Sequence, residues 1–136
     1  MKRYIHPKEE SVKEFNRQYK GKGPLPMLNL LKLRPIADYS EVPDLAPSDT
    51  ISGEAAYQIY MTAVSHEINK IGAKMRMMGK CSNFLIGPET EEWDMMLVVE
   101  YPSVEAFIGF SQSEAYQNNV GHRTAALEDS RLLPFQ

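Results

Sequence analysis

Cysteine and histidine are scarce in this sequence, which limits the chemistry it can support. Its 136 residues include one cysteine and three histidines. The single thiol, Cys81, excludes an intrachain disulfide. The histidines are scattered and no CxxC spacing occurs, so we expect no metal site, because zinc needs several ligands close together. Haem needs only one axial histidine, but neither His66 nor His122 lies on a clearly apolar stripe, so we expect no cofactor.

Long apolar runs and an excess of positive charge are also missing. No run approaches the roughly 20 residues that span a bilayer, and no hydrophobic leader follows Met1, so we expect a cytoplasmic protein with no membrane partner. The net charge is −3, whereas nucleic-acid binding needs a concentrated basic face, so we expect no nucleic-acid partner. The GKGP stretch at 21–24 lacks phosphate-loop spacing, and no GxSxG nucleophile motif occurs.

The length and composition fit one globular domain. With 43% hydrophobic and 24% charged residues, the chain is ordinary in composition and long enough for one core. We expect a single domain over 1–136, with an N-terminal helical extension over 1–24 and a long loop over 34–51. Long irregular loops in compact domains often serve as lids or oligomer contacts.

Apolar periodicity predicts an N-terminal helix followed by the order β-α-β-β-α-β. Ser52 and Ser103 are placed as helix N-caps, and Ser113 restarts the last helix after a break. The predicted elements are a helix over 8–20, a strand over 27–33, a helix over 53–73, strands from 74 and over 93–101, a broken helix from 104 to about 128, and a strand over 130–135.

This order is the split βαβ, ferredoxin-like arrangement of the α+β class, a four-stranded antiparallel sheet with helices on one face. The other face would carry Met78, Met96 and Val98, with charges toward its ends. Such a surface is too apolar to remain fully hydrated. We therefore predict a homodimer in which this face packs against a second copy.

The C-terminal half carries a family resemblance. In LVVEYPSVEAFIGFSQSEAYQNNVGHRTAALEDSRL, an apolar strand ends in Tyr-Pro-Ser, a short helix follows, and a restart at SEAY leads into an arginine-bearing helix. This pattern resembles the family known as domain of unknown function 1330, of the dimeric α/β-barrel group. The resemblance implies a dimeric α/β barrel and matches Tyr116 and Arg123 to the family's restart tyrosine and helix arginine. Other families of that group include cofactor-free monooxygenases and small isomerases.

Arg123 is the sharpest candidate for a binding residue. On a helical wheel it lies between Tyr116 and Leu127 on an apolar stripe, where a charge needs a partner. Its guanidinium group could hold the carboxylate or enolate of a ligand. Two alternatives stay open: an ion pair with Asp94 or Glu100 on the sheet, or a stem that covers the stripe while the head reaches water.

Aromatic residues and methionines around the central hairpin indicate a pocket. Tyr57, Tyr60 and Trp93, with Asp94 beside them, could line a site for a flat apolar ligand, or the same residues could form only core and dimer interface. His122 and Tyr60 are the candidates for proton transfer, since histidine has a suitable intrinsic pKa. The position of His122 on the flank of the last helix favours a surface or rim location.

Two functions are therefore compatible with the sequence. In the first, the protein binds a small apolar or aromatic acid through Arg123 and acts on it without a cofactor, as a monooxygenase or isomerase-like enzyme. His122 or a tyrosine would move the proton, and the 34–51 loop would be the lid. In the second, it is a non-catalytic dimeric module whose pocket is filled by its own side chains. His6, in a terminus expected to fray, receives no role.

Overall fold

One antiparallel sheet and four helices make up the fold, which a computed structural model describes for residues 2–136. The strands are β1 (Leu25–Leu33), β2 (Lys74–Lys80), β3 (Met95–Tyr101) and β4 (Leu127–Pro134). The helices are α1 (Glu9–Tyr19), α2 (Gly53–Lys70), α3 (Val104–Ser111) and α4 (Glu114–Ala126). The sheet order is β2-β3-β1-β4, with every neighbouring pair antiparallel. The predicted α+β class and the order of its elements are confirmed.

Serine side chains fix where three of the helices begin. Each accepts a hydrogen bond from the backbone N–H three residues on, which satisfies one of the free donors in the first helical turn. These bonds are Ala55 N to Ser52 Oγ at 3.0 Å, Ala106 N to Ser103 Oγ at 3.1 Å, and Tyr116 N to Ser113 Oγ at 3.2 Å. The third cap sets the start of α4, and hence where its side chains are directed.

The sheet face turned toward the helices carries the core. Leu25 and Met27 of β1 are 0% and 2% exposed and lie opposite Tyr101 and Val99 of β3. Residues directly opposite in antiparallel strands share a face, and Val64 of α2 belongs to the same buried cluster. We call this the inner face and its reverse the outer face. On β1 the inner face carries Leu25, Met27, Asn29 and Leu31, and the outer face carries Pro26, Leu28, Leu30 and Lys32.

An irregularity in β2 changes which methionine reaches the outer face. Arg76 is an extra residue in the ladder, between Met75 and Met77. A bulge of this kind shifts the alternation of side chains by one position beyond it. Met77 therefore lies opposite Val98 on the outer face. The simple alternation placed Met78 there, and that prediction is wrong because the bulge is not visible in the apolar pattern.

The N-terminal segment lies against β4 and does not fray. The Arg3 guanidinium donates to the backbone carbonyl oxygens of Leu127 and Glu128, at 2.9 and 2.6 Å. The Tyr4 N–H donates to Asp129 Oδ1 at 2.9 Å. Because these bonds tie the segment to the start of an edge strand, the expectation of a frayed terminus is wrong.

Helix α1 continues from this segment and packs on α3. Phe15 meets Phe107 edge-to-face with ring centroids 5.4 Å apart, and Phe107 lies 5.0 Å from the ring of Tyr101 at the end of β3. Aromatic pairs of this geometry contribute about 0.5–1.5 kcal/mol beyond their buried area. The N-terminal extension is thus connected through α3 to the sheet.

Gly53, in the first turn of α2, has no room for a side chain. A β-carbon there would overlap the carbonyl oxygen of Arg34 and lie 2.7 Å from that of Ala126. Both contacts are backbone atoms, so neither can move without displacing an element. We predict that Gly53→Ala lowers the free energy of unfolding, measured in urea, by about 1–3 kcal/mol, the usual cost of overpacking.

The matched control for this prediction is Gly109→Ala in α3. A β-carbon at that position meets no heavy atom within 4 Å, and alanine is favoured over glycine in a helix by about 0.5–1 kcal/mol. This variant should be at least as stable as the wild type. Equal stability of the two variants would contradict the packing argument.

Candidate functional site

A cavity of about 1110 Å³ lies between the inner face of the sheet, the helices and the N-terminal segment. Apolar side chains of the sheet, among them Met27, Leu97 and Val99, form part of its wall, and residues 4–8 form another part. Small-molecule sites typically have volumes of about 300–1000 Å³. The cavity is therefore large enough for a ligand well beyond a single ring.

Six tyrosines line this cavity, and four of them lie on the sheet and on two of its helices: Tyr57 and Tyr60 on α2, Tyr101 on β3 and Tyr116 on α4. The rings of Tyr57 and Tyr60 are 5.6 Å apart, and those of Tyr60 and Tyr116 are 6.4 Å apart. Tyr60 and Tyr101 are each 6% exposed. Within residues 2–136 no side-chain hydrogen bond engages the hydroxyl groups of Tyr60, Tyr101 and Tyr116, and none of these oxygens is completely buried without a partner. Their accessible surface therefore faces the cavity.

Arg123 reaches into the same cavity from α4. Its Nη1 donates to the backbone carbonyl oxygen of Ile5 at 2.9 Å. It forms no ion pair with a carboxylate of the described chain, residues 2–136. Glu100 forms an ion pair with Arg76 instead, at 2.8 Å. Asp94 accepts a hydrogen bond from the backbone N–H of Leu33, at the end of β1. The predicted alternative of an internal ion pair with either carboxylate is wrong, and most of the five guanidinium N–H donors are left for another acceptor.

Burial keeps the tyrosine hydroxyl groups protonated. It raises the pKa of Tyr57, Tyr60 and Tyr101 above the ordinary value, because the charged phenolate is poorly solvated there. The Arg123 guanidinium acts in the opposite direction on all three, since its positive charge favours the phenolate. At neutral pH these hydroxyls therefore serve as hydrogen-bond donors beside a fixed positive charge.

His6 is the histidine that lines the cavity, at the N-terminal segment. Burial and the charge of Arg123 lower its pKa, while Glu41 opposes them. Its imidazole is therefore mainly neutral at pH 7. No role is predicted for His6 from the sequence, because it precedes Pro7 in a terminus expected to fray. Its location depends on the contacts of the N-terminal segment with β4, and no local sequence pattern predicts these contacts.

His122 lies on a different side of α4, under the 34–51 loop. Its Nδ1 is 2.8 Å from the Tyr39 hydroxyl group, it is 8% exposed, and burial lowers its pKa. In the same loop Val42 and Leu45 approach Gly121 closely. The prediction of a surface or rim histidine is wrong because the loop packs on α4. Neither His122 nor the loop lines the large cavity, so the structure corrects their predicted roles as proton carrier and lid.

Trp93 and Asp94 are also separated from the tyrosine cluster. Asp94 Oδ2 accepts a hydrogen bond from the Leu33 N–H at 2.6 Å, at the end of β1. Trp93 has the Arg131 guanidinium 4.9 Å from its ring and lines a smaller cavity of about 240 Å³. The structure thus brings Arg123 together with Tyr57, Tyr60 and Tyr116, and corrects the predicted grouping of Trp93 and Asp94 with them.

Residues 2–136 lack two further features. No helix combines the length and hydropathy that crossing a bilayer requires. No three side chains of histidine, cysteine, aspartate or glutamate lie in a group that could hold a metal ion.

The fold and its cavity define an α+β domain with a ferredoxin-like sheet. The family model described as domain of unknown function (DUF1330) matches residues 46–133, and the chain belongs to this family. A crystal structure of the methylated RPA0582 protein is similar with a TM-score of 0.89 and 35% identity, covering 100% of this chain and 96% of that one. A structure of RPA0582 from Rhodopseudomonas palustris, a protein of unknown function, has a TM-score of 0.85, 36% identity and coverage of 98% and 96%.

A more distant structure shares the fold alone. A ferredoxin-like protein of the dabb family from Mesorhizobium loti has a TM-score of 0.51 at 10% identity, covering 84% of this chain and 96% of that one. A comparison with curated protein sequences finds no significant match.

The lowered pKa values of His6 and His122 predict a pH dependence of stability. Below about pH 6.5 the unfolded chain binds more protons at these sites than the folded chain, so their stabilisation is complete above that pH and is lost as the pH falls. We expect the free energy of unfolding in urea to decrease from pH 7.5 to pH 5, and His122→Gln to flatten this slope. His66→Gln, on an exposed part of α2, is the control and should keep the wild-type slope. A wild-type stability that rises toward pH 5 would rule this out.

Proposed function

We propose that the protein binds a small apolar or aromatic acid in the large cavity, with Arg123 holding the carboxylate. The observation that carries this proposal is a guanidinium group without a carboxylate partner among residues 2–136, placed in a cavity with largely apolar walls. A partly buried charge without a counter-charge is costly. A ligand carboxylate would supply that counter-charge through paired N–H···O bonds.

The surroundings of Arg123 support an acid with a substantial apolar part. Tyr57 and Tyr116 offer hydroxyl donors beside the guanidinium, while Met27, Val99 and other apolar side chains offer contact surface. Binding sites of this kind are mostly apolar with a few directed polar groups that fix orientation. A cavity of about 1110 Å³ also argues against the alternative of a module whose pocket is filled by its own side chains.

We further propose that the protein acts on the bound acid without a cofactor. A proposed antibiotic biosynthesis monooxygenase from Caulobacter crescentus shares the fold, with a TM-score of 0.53 at 13% identity and coverage of 90% and 95%. That likeness concerns the fold alone. The proposal of a monooxygenase or isomerase-like reaction therefore has to be argued from the residues of this chain. Tyr60 is better suited to donating a hydrogen bond than to accepting a proton, because burial raises its pKa.

We also propose that the outer face of the sheet joins two copies. An apolar row crosses this face through Met77, Val98, Leu28 and Leu133, each opposite the next. Met77 and Leu133 are 61% and 58% exposed, and an exposed apolar row of this kind favours protein contact. A ferredoxin-like protein of unknown function from Bacteroides fragilis, similar in fold with a TM-score of 0.50 at 15% identity, is described as dimeric.

The acid-binding proposal is tested by thermal shift with phenylacetate and decanoate. A ligand at a hundred times its dissociation constant stabilises the fold by about 2.7 kcal/mol, which raises the melting temperature by several degrees. We expect this shift in the wild type and its loss in Arg123→Met. Arg76→Met, which removes an arginine outside the cavity, is the matched control and should keep it. 2-Phenylethanol tests the need for a carboxylate, and an equal shift with this alcohol would count against the role of Arg123.

The dimer is tested by light scattering after size exclusion. We expect the wild type to have twice the chain mass of 15.5 kDa, and Leu133→Glu to shift it to the monomer, because a carboxylate in an apolar interface loses its hydration. Ile59→Glu, on the exposed surface of α2, is the matched control and should remain dimeric. A monomeric wild type would refute the proposed interface.

A further inference from the structure

The wall of the cavity carries both the guanidinium group of Arg123 and a group that can accept a proton. The backbone of residue 5 touches the Arg123 guanidinium, with Nη1 to Ile5 O at 2.9 Å. His6 follows directly and lines the cavity. A neutral imidazole beside hydrogen-bond donors for a developing oxyanion is the constellation used to remove a proton next to a carbonyl group.

The contacts of the imidazole favour one tautomer. His6 Nε2 lies 3.5 Å from Thr124 Oγ1, and Thr124 Oγ1 donates its own hydrogen to the Val120 carbonyl oxygen at 3.2 Å. With its hydrogen used in this way, the Thr124 hydroxyl group pairs with the His6 tautomer that carries its hydrogen on Nε2. The lone pair is then on Nδ1, which is the atom able to take a proton.

The number of donors exceeds the needs of one carboxylate. Two guanidinium N–H groups can bind a carboxylate in the paired geometry, and the hydroxyl groups of Tyr57, Tyr60 and Tyr116 lie in the same cavity. The rings of Tyr57 and Tyr60 are 5.6 Å apart and those of Tyr60 and Tyr116 are 6.4 Å apart, so the three side chains form one cluster that lines the cavity together with Arg123. These additional donors suit a second oxygen, one that gains negative charge during a reaction.

We propose that His6 is a catalytic base for the enolisation of aromatic or apolar 2-oxo acids, with Arg123 on the carboxylate and the tyrosine hydroxyls on the ketone oxygen. This proposal rests on the acid-binding function above. His6 Nδ1 takes a proton from the carbon next to the ketone. The electrons of the broken C–H bond form the C=C bond, and the C=O π electrons move to oxygen to give the enolate. Return of a proton to the carbon restores the ketone, and return to oxygen gives the enol, so no oxidant or reductant is consumed.

The test is hydrogen–deuterium exchange at the methylene group of phenylpyruvate in D₂O, followed by proton NMR against the same buffer without protein. General base catalysis contributes about 10²–10⁴-fold in rate. We expect the wild type to accelerate exchange and His6→Gln to lose at least about 100-fold of that acceleration. His66→Gln, the control histidine variant, should exchange like the wild type.

Two further readouts separate a chemical role of His6 from a structural one. Added imidazole should restore exchange in His6→Gln, because His6 is at an exposed position and the free base can take its place. Phenylpyruvate should still raise the melting temperature of His6→Gln, whereas Arg123→Met should lose both the shift and the exchange. Exchange no faster than in buffer, or full activity of His6→Gln, would overturn the proposal. If exchange fails but phenylpyruvate still raises the melting temperature, the acid-binding proposal stands and only the catalytic role of His6 is lost. If the thermal shift is also absent, both the acid-binding proposal and the catalytic role are contradicted.

Discussion

The approach of α2 to the junction of β1, α4 and β4 fixes the geometry on which the cavity depends. Gly53 N donates to Arg34 O at 3.0 Å, and Arg34 N donates to Ala126 O at 2.8 Å. Helix α4 ends at Ala126 and β4 begins at the next residue, so one short chain of backbone bonds joins four elements. Because α2 and α4 are held side by side, Tyr57 and Arg123, each on one of these helices, face the same space.

The N-terminal segment forms a further part of the wall of this space. Its bonds to β4 bring a backbone carbonyl group to the guanidinium of Arg123 and an imidazole to the cavity wall. A carbonyl oxygen carries only a partial charge, so it orients the guanidinium without neutralising it. A full negative charge at that position would be bound more strongly than the carbonyl group, which is the physical basis of the proposed binding of an acid.

Periodicity is sufficient to predict the elements and to single out Arg123 as a candidate residue. The alternation of Leu97 and Val99 against Met96 and Val98 and the serine caps are local signals, and they led to the correct order of strands and helices. Arg123 was detectable because a charge interrupts an apolar stripe. The bulge at Arg76 and the contacts of residues 3–6 could not be predicted, because both depend on hydrogen bonds between segments far apart in sequence. The burial of His122 has the same cause, since it comes from a loop that shows no period.

The central strand β1 separates two surfaces with different physical demands. Met27 and Asn29 point toward the cavity, where volume and the position of polar groups matter, and Leu28 and Leu30 point toward the outer face, where exposed apolar area matters. Because neighbouring residues alternate between the faces, a substitution at position 28 and one at position 29 act on separate properties. A change on one face can therefore alter association while the cavity, built from the other face and the helices, keeps its lining.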